Sequence, residues 1–447
     1  MRPLLLLGFV GLVGCASPSP RPAVDATSKL VSERTGRSVT WISSTQEDDD
    51  AERAVKALLE KPLTQDGAVS IALLRNRNLQ LRYEELGIAQ ADLVQAGLLR
   101  NPVLAGTVRF PLDPGHVVGV ETSLVGSFLE LLTMASRKKI ARLALEGTEY
   151  RVASAVIDHV AETKEAYFAV QAAQEIAAMR RIVKDAAEAQ VELARRQNQA
   201  GTINDLDLAN EEALFAQVSL DLVRATADVV AAREALNRAM GTWGETTSWT
   251  IDDKLPPPPD RDPELAGLES KAIAERFDLR AARRDVEVVS YGLALAKNTR
   301  WFGGVDAGIT FEQKPEGIRL LGPTVALEIP IFDQRQAAIA KLEAELRQAN
   351  DREAALAIDA RSHVRERWGE LAAARAIAIG QGKTLVPLRE KIVRLTQEQY
   401  DAMLMGVFQL LAAKQAEILA YRDFVDALKT YWTLRAELER EVGGKLP

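Results

Sequence analysis

Trp301-Phe302-Gly303-Gly304-Val305-Asp306-Ala307-Gly308-Ile309-Thr310-Phe311 alternates with period two. One face collects Gly303, Val305, Ala307, Ile309 and Phe311, and the other Phe302, Gly304, Asp306, Gly308 and Thr310. Such alternation predicts a strand whose two faces meet different surroundings. Three further segments repeat it. Gly322 to Phe332 sets Val325, Leu327, Ile329 and Ile331 opposite Thr324, Ala326, Glu328 and Pro330. Leu104, Val108 and Phe110 oppose Thr107 and Arg109, and Val118, Val120, Leu124 and Phe128 oppose Glu121, Ser123 and Ser127. Each run is about ten residues, the length of a tilted membrane strand. Soluble hairpins of this kind would need a cover for the apolar face, and no spare amphipathic element is adjacent in the chain. In lipid no strand edge is left unpaired, so membrane strands close into a barrel. Bacterial barrels start at about eight strands. Four cannot close, so copies must pool them: two chains supply eight, three supply twelve.

Outward from these strands, the chain reads as two copies of one plan, offset by about 200 residues. Asn78-Leu79-Gln80-Leu81-Arg82 corresponds to Asp278-Leu279-Arg280-Ala281-Ala282, Arg100-Asn101-Pro102 to Arg300-Trp301-Phe302, and Arg137-Lys138-Lys139-Ile140-Ala141 to Gln336-Ala337-Ala338-Ile339-Ala340. Ala200-Gly201 is matched with Met405-Gly406. Each copy predicts helix, strand, strand, very long helix, turn, helix. The long helices are expected from Thr133 to Ala200 and from Gln334 to Met405, the second kinked at Pro387 and two glycines. About 65 residues at 1.5 Å each span on the order of 100 Å. Helices of that length imply coiled-coil-like neighbours. The expected organisation is 1–14 signal segment, 15–60 tether, 61–241 first repeat, 242–262 proline-rich linker, 263–443 second repeat and 444–447 tail. The run Pro256 to Pro259 lacks amide donors and stays extended, ending the first copy. The acidic run Glu47-Asp48-Asp49-Asp50 reads as solvated.

Composition narrows the function. The 447 residues are 47% hydrophobic, 27% charged and only 5% aromatic, which fits alanine-rich helices packed closely. A net charge of −7 without a basic stripe argues against nucleic acid. No Ser-His-Asp set, glycine-rich phosphate loop or paired metal ligands are visible, so neither an enzyme, a cofactor nor a metal centre is expected. His116, His159 and His363 are scattered, and packing is the expected role of Met403 and Met405.

Met1-Arg2-Pro3, an apolar run from Leu4 to Val13, and Gly14 describe a secretory signal too short to span a membrane. Leu12-Val13-Gly14-Cys15 resembles a bacterial lipobox, and by that resemblance Cys15 becomes the lipidated first residue. Ala16 then leaves sorting to the outer membrane open.

Ala72-Leu73-Leu74-Arg75-Asn76, Asn101-Pro102, Glu328-Ile329-Pro330-Ile331-Phe332-Asp333, Ala200-Gly201-Thr202-Ile203-Asn204-Asp205-Leu206-Asp207-Leu208 and Ala231 to Gly241 stand in an order similar to that of the TolC-like outer-membrane efflux family. The resemblance covers roughly residues 60–443. It implies an α+β membrane protein, a homotrimer whose twelve-strand barrel continues into a twelve-helix periplasmic tunnel. It also implies a periplasmic adaptor and an inner-membrane pump of the RND or ABC type as partners, with passive export of drugs or metal ions. Gly201, Thr202, Ile203 and Gly406, Val407, Phe408 would be the adaptor-contacting tips. Asp205, Asp207 and Gln415 would line the periplasmic aperture. Ala412 and Gln415 stand where a second acidic layer would be, which puts a double acidic ring in doubt, and one of Asp205 and Asp207 is expected to cap its helix. Glu130 with Arg137-Lys138-Lys139 resembles the heavy-metal branch. The alternative is a periplasmic coiled-coil structural or adaptor lipoprotein without a pore. An adaptor would need a lipoyl-like domain of many short strands, and a tether strict heptads without amphipathic hairpins.

Overall fold

A computed structural model describes residues 19–112, 114–252 and 254–446, so the signal segment 1–14 and Cys15 fall outside the described residues. The elements are α1 (Arg21–Thr35), α2 (Thr45–Leu59), α3 (Gln65–Arg75), α4 (Arg77–Ala96), β1 (Val103–Arg109), β2 (Gly119–Ser127), α5 (Phe128–Gln199), α6 (Asp205–Met240), α7 (Leu268–Glu275), α8 (Phe277–Asn298), β3 (Val305–Gln313), β4 (Arg319–Leu327), α9 (Gln336–Gly380), α10 (Val386–Asp401) and α11 (Val407–Val442). The chain forms two compact units. One holds residues 19–26, Glu84–Glu149 and Ala281–Arg352, and the other Thr27–Tyr83, Tyr150–Arg280 and residues 353–446.

The first unit contains a single antiparallel sheet in the order β1-β2-β3-β4. Its register lines up Leu104, Leu124, Ile309 and Pro323 in one row, and Val108 with Val120 in another. With Val103, Val125 and Leu320 on the other side, most large apolar residues of the four strands fall on one face, because every register step preserves the period. Leu104, Val108, Leu124, Ile309, Leu321, Val325 and Leu327 are all exposed there. The opposite face carries Thr107, Arg109, Glu121, Ser123, Asp306, Thr310, Glu312 and Thr324. Arg109 reaches Glu121 at 2.8 Å and Glu312 at 4.0 Å, and the Thr310 and Thr324 hydroxyls touch. The strands have seven to nine residues, shorter than expected. Residues 301–304 and 328–332 lie outside β3 and β4, because Gly303-Gly304 and Pro330 cannot extend the ladder cheaply. Lys314 N donates to Ile318 O and Glu328 N to Gly304 O. These mark the bonded pairs, so alternation makes Ile309–Pro323 a non-bonded pair whose missing amide points away from β3.

Helices hang from the strands within the same unit. Lys138 of α5 packs along Gly97, after α4; Glu146 of α5 meets Arg284 of α8 at 2.9 Å; Lys297 of α8 meets Glu343 of α9 at 2.6 Å.

The second unit is built from helices and shows the duplication in its joints. α3 breaks into α4 at Asn76, and α7 into α8 at Arg276; each breaking residue donates its amide to the carbonyl four back, Ala72 and Ala272. Against these breaks end α6 and α11, capped by Gly241 (φ 70°) and Gly443 (φ 87°) in the left-handed region. A Cβ at Gly241 would lie 2.9 Å from Arg75 O and from Asn76 Cα. Asn76 Nδ2 donates to Arg238 O and Ala239 O, joining the break to the helix end. The core gathers Tyr167, Phe168, Leu236, Met240, Trp249 and Leu428, with Phe168 stacked on Trp432 at 5.2 Å.

Three expectations change. The stretch expected as a tether carries α1 and α2, with Val31 and Val55 fully buried. Its acidic run opens α2: Ser44 caps, Glu47 accepts from Ser43 N at 2.7 Å, and Asp48 pairs with Arg77 at 2.8 Å. The linker is a docked strap and not a free spacer. Its carbonyls, which no internal bond satisfies, accept from Trp432 (Pro256 O, 2.8 Å), Arg375 (Pro259 O, 2.8 Å) and Trp368 (Pro263 O, 2.9 Å). The first long helix has 72 residues without interruption, whereas the second is broken by a π turn at Gln381–Leu385. Gly380, Gly382 and Pro387 bracket that turn, and a proline removes one ladder donor.

Two predictions follow from these joints. Gly241→Ala should lower the thermal midpoint by more than Gly201→Ala. Both residues have φ near 70°, so an alanine at either position takes on about 1–2 kcal/mol of left-handed strain, but nothing lies within 4 Å of a Cβ at Gly201. Equal shifts in circular-dichroism melts would refute the close approach. Burial on α5, reinforced by Glu437 and Glu162, pushes the Glu165 carboxyl up to about 7. Its ionised form therefore costs stability above that value, and the cost fades as pH falls toward 4.5. Glu165→Gln should raise the midpoint at pH 8 and leave it unchanged near pH 5; a gain of the same size at both would contradict the assignment.

Candidate functional site

The two helical reversals are the best-defined candidate positions in the second unit. At the first, Gly201 (φ 72°) closes α5: its amide donates to Asn198 O, and Thr202 N and Oγ1 both reach Gln197 O. Asn204 then caps α6, accepting from Asp207 N at 2.8 Å. The expected cap was Asp205 or Asp207, but neither side chain does this. Asp205 accepts from Asn198 Nδ2 at 3.0 Å, and Asp207 sits in the first turn, where a carboxylate meets the positive helix end. Gly201, Thr202 and Asp205 are exposed; Ile203 and Asp207 are half-buried.

At the second reversal the left-handed residue is Met403 (φ 58°), and Gly406 (φ −84°) is the helix N-cap with no side chain to accept. Gly201 thus pairs with Met403 and Asn204 with Gly406, an offset of 202 that also relates Gly241 to Gly443. The sequence match of Gly201 with Gly406 was three residues out. In this register Asp205 and Asp207 correspond to Val407 and Gln409, still without a second acidic layer. Gln415 lies two turns into α11, on an exposed stripe with Phe408, Ala412 and Leu419. Met403 is 93% exposed and packs on nothing, contrary to expectation.

Above the first tip lies a buried carboxylate that the sequence reading missed. Glu211 on α6 is 5% exposed and accepts from Gln190 of α5 at 3.0 Å; the Gln190 carbonyl accepts from Lys414 of α11 at 3.2 Å. Burial raises the Glu211 carboxyl, opposed by Gln190 and Lys414 and assisted by Asp207. The triad ties α11 to the α5–α6 pair. Further along the same three helices a crevice of about 400 Å³ opens, walled by Ala169, Ala172, Ala173 and Ala225, with Arg180 on Asp221 at 3.4 Å.

α6 carries a second feature. Leu206, Ala209, Ala213, Ala216, Leu220, Val223, Ala227 and Val230 follow strict three-four spacing, and all eight are exposed. Its buried seam, through Val218, Ala225 and Leu236, is a different one. On α10 and the π turn before it, Leu385, Leu388, Ile392 and Leu395 form another exposed three-four stripe. This spacing is a coiled-coil seam lacking a partner. It was readable in the sequence, but four alanines among eight positions dilute the signal. Among the described residues no group of three or more His, Cys, Asp or Glu could hold a metal ion. No helix there is long and apolar enough to cross a membrane.

Residues 69–242 match the family model of the outer membrane efflux protein. The chain is 24% identical over 393 residues to the cobalt-zinc-cadmium resistance protein CzcC of Cupriavidus metallidurans, covering 86% of this chain and 90% of that one. Among solved structures it resembles a membrane protein from Pseudomonas aeruginosa (TM-score 0.75, 19% identity, 85% of this chain and 92% of that). It resembles equally the Campylobacter jejuni CmeC outer membrane channel (TM-score 0.75, 15% identity, 85% of each). One apolar-rich sheet face, a doubled helical plan with matching joints, and these likenesses lead to one conclusion: the chain has the fold of the outer membrane channels it resembles, and its residues 69–242 are similar to the outer membrane efflux protein family.

Proposed function

We propose that the chain is one subunit of a homotrimeric duct that passively conducts solutes from the periplasm to the exterior. The observation that carries this reading is the sheet: one continuous apolar face, one polar face, and two outer strands, β1 and β4, each with a neighbour on one side only. In lipid those edges must pair. Three copies joined β4 to β1 give twelve strands, with the apolar face outward and Arg109, Glu121, Asp306 and Glu312 inward on water.

The helices close by the same head-to-tail logic. The exposed α6 seam of one copy takes the α10 seam of the next, a heterologous contact that closes into a ring. Within one copy, Lys414 and Gln190 hold the α5–α11 junction. The tips at Gly201-Thr202-Ile203 and Gly406-Val407-Phe408 then face a periplasmic adaptor, and an inner-membrane pump of the RND or ABC class supplies the energy. Asp207, repeated three times, sets an acidic ring that attracts cations, with Asp205 beside it and Gln415 further in. The name of the CzcC relative concerns cobalt, zinc and cadmium, and it favours metal ions over drugs as cargo. Lipidation of Cys15 anchors the chain, and repeats 61–241 and 263–443 are its two working units.

Detergent-solubilised protein should be trimeric and should insert ion-conducting pores into planar bilayers. A double substitution, Leu220→Glu with Val223→Glu, places charges in the proposed seam. It should yield a monomer of unchanged helix content, read by light scattering and circular dichroism; a persisting trimer would sink the seam. Because Asn204 holds the cap, Asp207→Ala removes a charge without uncapping α6. It should raise single-channel conductance or relieve divalent-cation block, and no change in either would confine Asp207 to its helix end.

A further inference from the structure

The basic cluster Arg137-Lys138-Lys139, with Arg142, is not used by the duct itself. α5 continues directly from β2, and Phe128, its first residue, keeps the parity of the apolar face set by Val120 and Leu124. In the next turn Leu131 and Leu132 are 47% and 64% exposed. Seven residues on, a helix returns to nearly the same angle about 10 Å further along. Lys138 and Arg142 therefore lie beneath Leu131, and Lys139 beneath Leu132, all three exposed. Apolar residues followed on one helical face by cations is the pattern of a segment leaving a bilayer through its headgroups.

These cations are placed and not neutralised. The stem of Lys138 lies on Gly97, where an added Cβ would sit 3.2 Å from Cδ, and the Lys139 ammonium lies 5.7 Å over the Tyr291 ring. Among the described residues neither lysine nor Arg142 is in an ion pair. The nearby carboxylates are occupied, Glu130 by Arg100 at 3.2 Å and Glu146 by Arg284 at 2.9 Å. Around the same end of the sheet Trp301, Phe302 and Phe332 are 58%, 50% and 92% exposed, and the Arg300 guanidinium stacks on Trp301 at 4.4 Å. Exposed aromatics of this kind sit at headgroup level.

We propose that Lys138, Lys139 and Arg142 bind the anionic headgroups of phospholipids in the periplasmic leaflet. The inference rests on the duct reading, which puts the helical side of the sheet in the periplasm. Charge complementarity and continuity with the apolar face select a lipid as the occupant. Three copies repeat the cluster around the barrel foot, forming a cationic collar.

The test uses the full-length trimer, delipidated in detergent and offered equimolar phosphatidylglycerol and phosphatidylethanolamine, with retained lipid counted by native mass spectrometry. Wild type should retain several-fold more phosphatidylglycerol, and the excess should fall with added salt. Lys138→Gln/Lys139→Gln/Arg142→Gln should abolish the excess, while Arg181→Gln/Arg195→Gln/Arg196→Gln, an equal loss of charge elsewhere on α5, should keep it. Both variants should remain trimeric and conducting. A conducting wild-type trimer without lipid preference, or an excess surviving in the first variant, overturns the collar alone. A wild type that neither assembles nor conducts overturns the duct reading and the collar with it.

Discussion

Backbone hydrogen bonding at the two outer strands governs the rest of the molecule. In water an edge strand can be satisfied by solvent; in hydrocarbon it cannot, and each unmet amide costs several kcal/mol. The register across β1 to β4 gathers most large apolar side chains on one face, which suits the sheet to lipid on that side in the proposed duct. Its edges are not satisfied within one copy. The helices inherit the strand order: α4, α5, α8 and α9 touch in sequence where they leave the sheet.

Duplication lets one set of joints be used twice, and the two uses differ where chemistry is expected. Gly241 and Gly443 do the same work against Asn76 and Arg276. At the tips the copies diverge: one offers an asparagine cap and two carboxylates, the other a bare glycine cap and a strained, exposed methionine. Carboxylates in the first helical turn thus come from one repeat, and the other keeps Asp401 at the end of α10. In the proposed trimer, turns without a carboxylate at the helix start would stand between successive Asp205–Asp207 pairs and weaken their mutual repulsion.

The strands, the tandem plan and the long helices were legible from the sequence because each rests on a short period or on spacing. Strand ends and caps were not. Asn204 outcompetes its acidic neighbours because its carbonyl oxygen, and not theirs, lies under the Asp207 amide, a matter of one residue of phase. The α6 stripe was present in the sequence but written largely in alanine, whose small surface gives little contrast. The Glu211–Gln190–Lys414 triad joins three helices far apart in the chain, and no local pattern announces such a contact. The proline strap read correctly as extended, yet its docking depends on Trp368, Arg375 and Trp432, all more than 100 residues downstream.

Pro323 bears on what happens before copies meet. Its nitrogen faces outward along the free margin of β4, so a stranger docking there finds a gap in the ladder. Indiscriminate stacking of sheets into fibres is thereby penalised before assembly. In the proposed trimer the rightful neighbour would meet the same gap, and the join between subunits would be one bond weaker than the joins inside them. A ring closed in that way would yield first at that seam if it were ever to breathe or come apart.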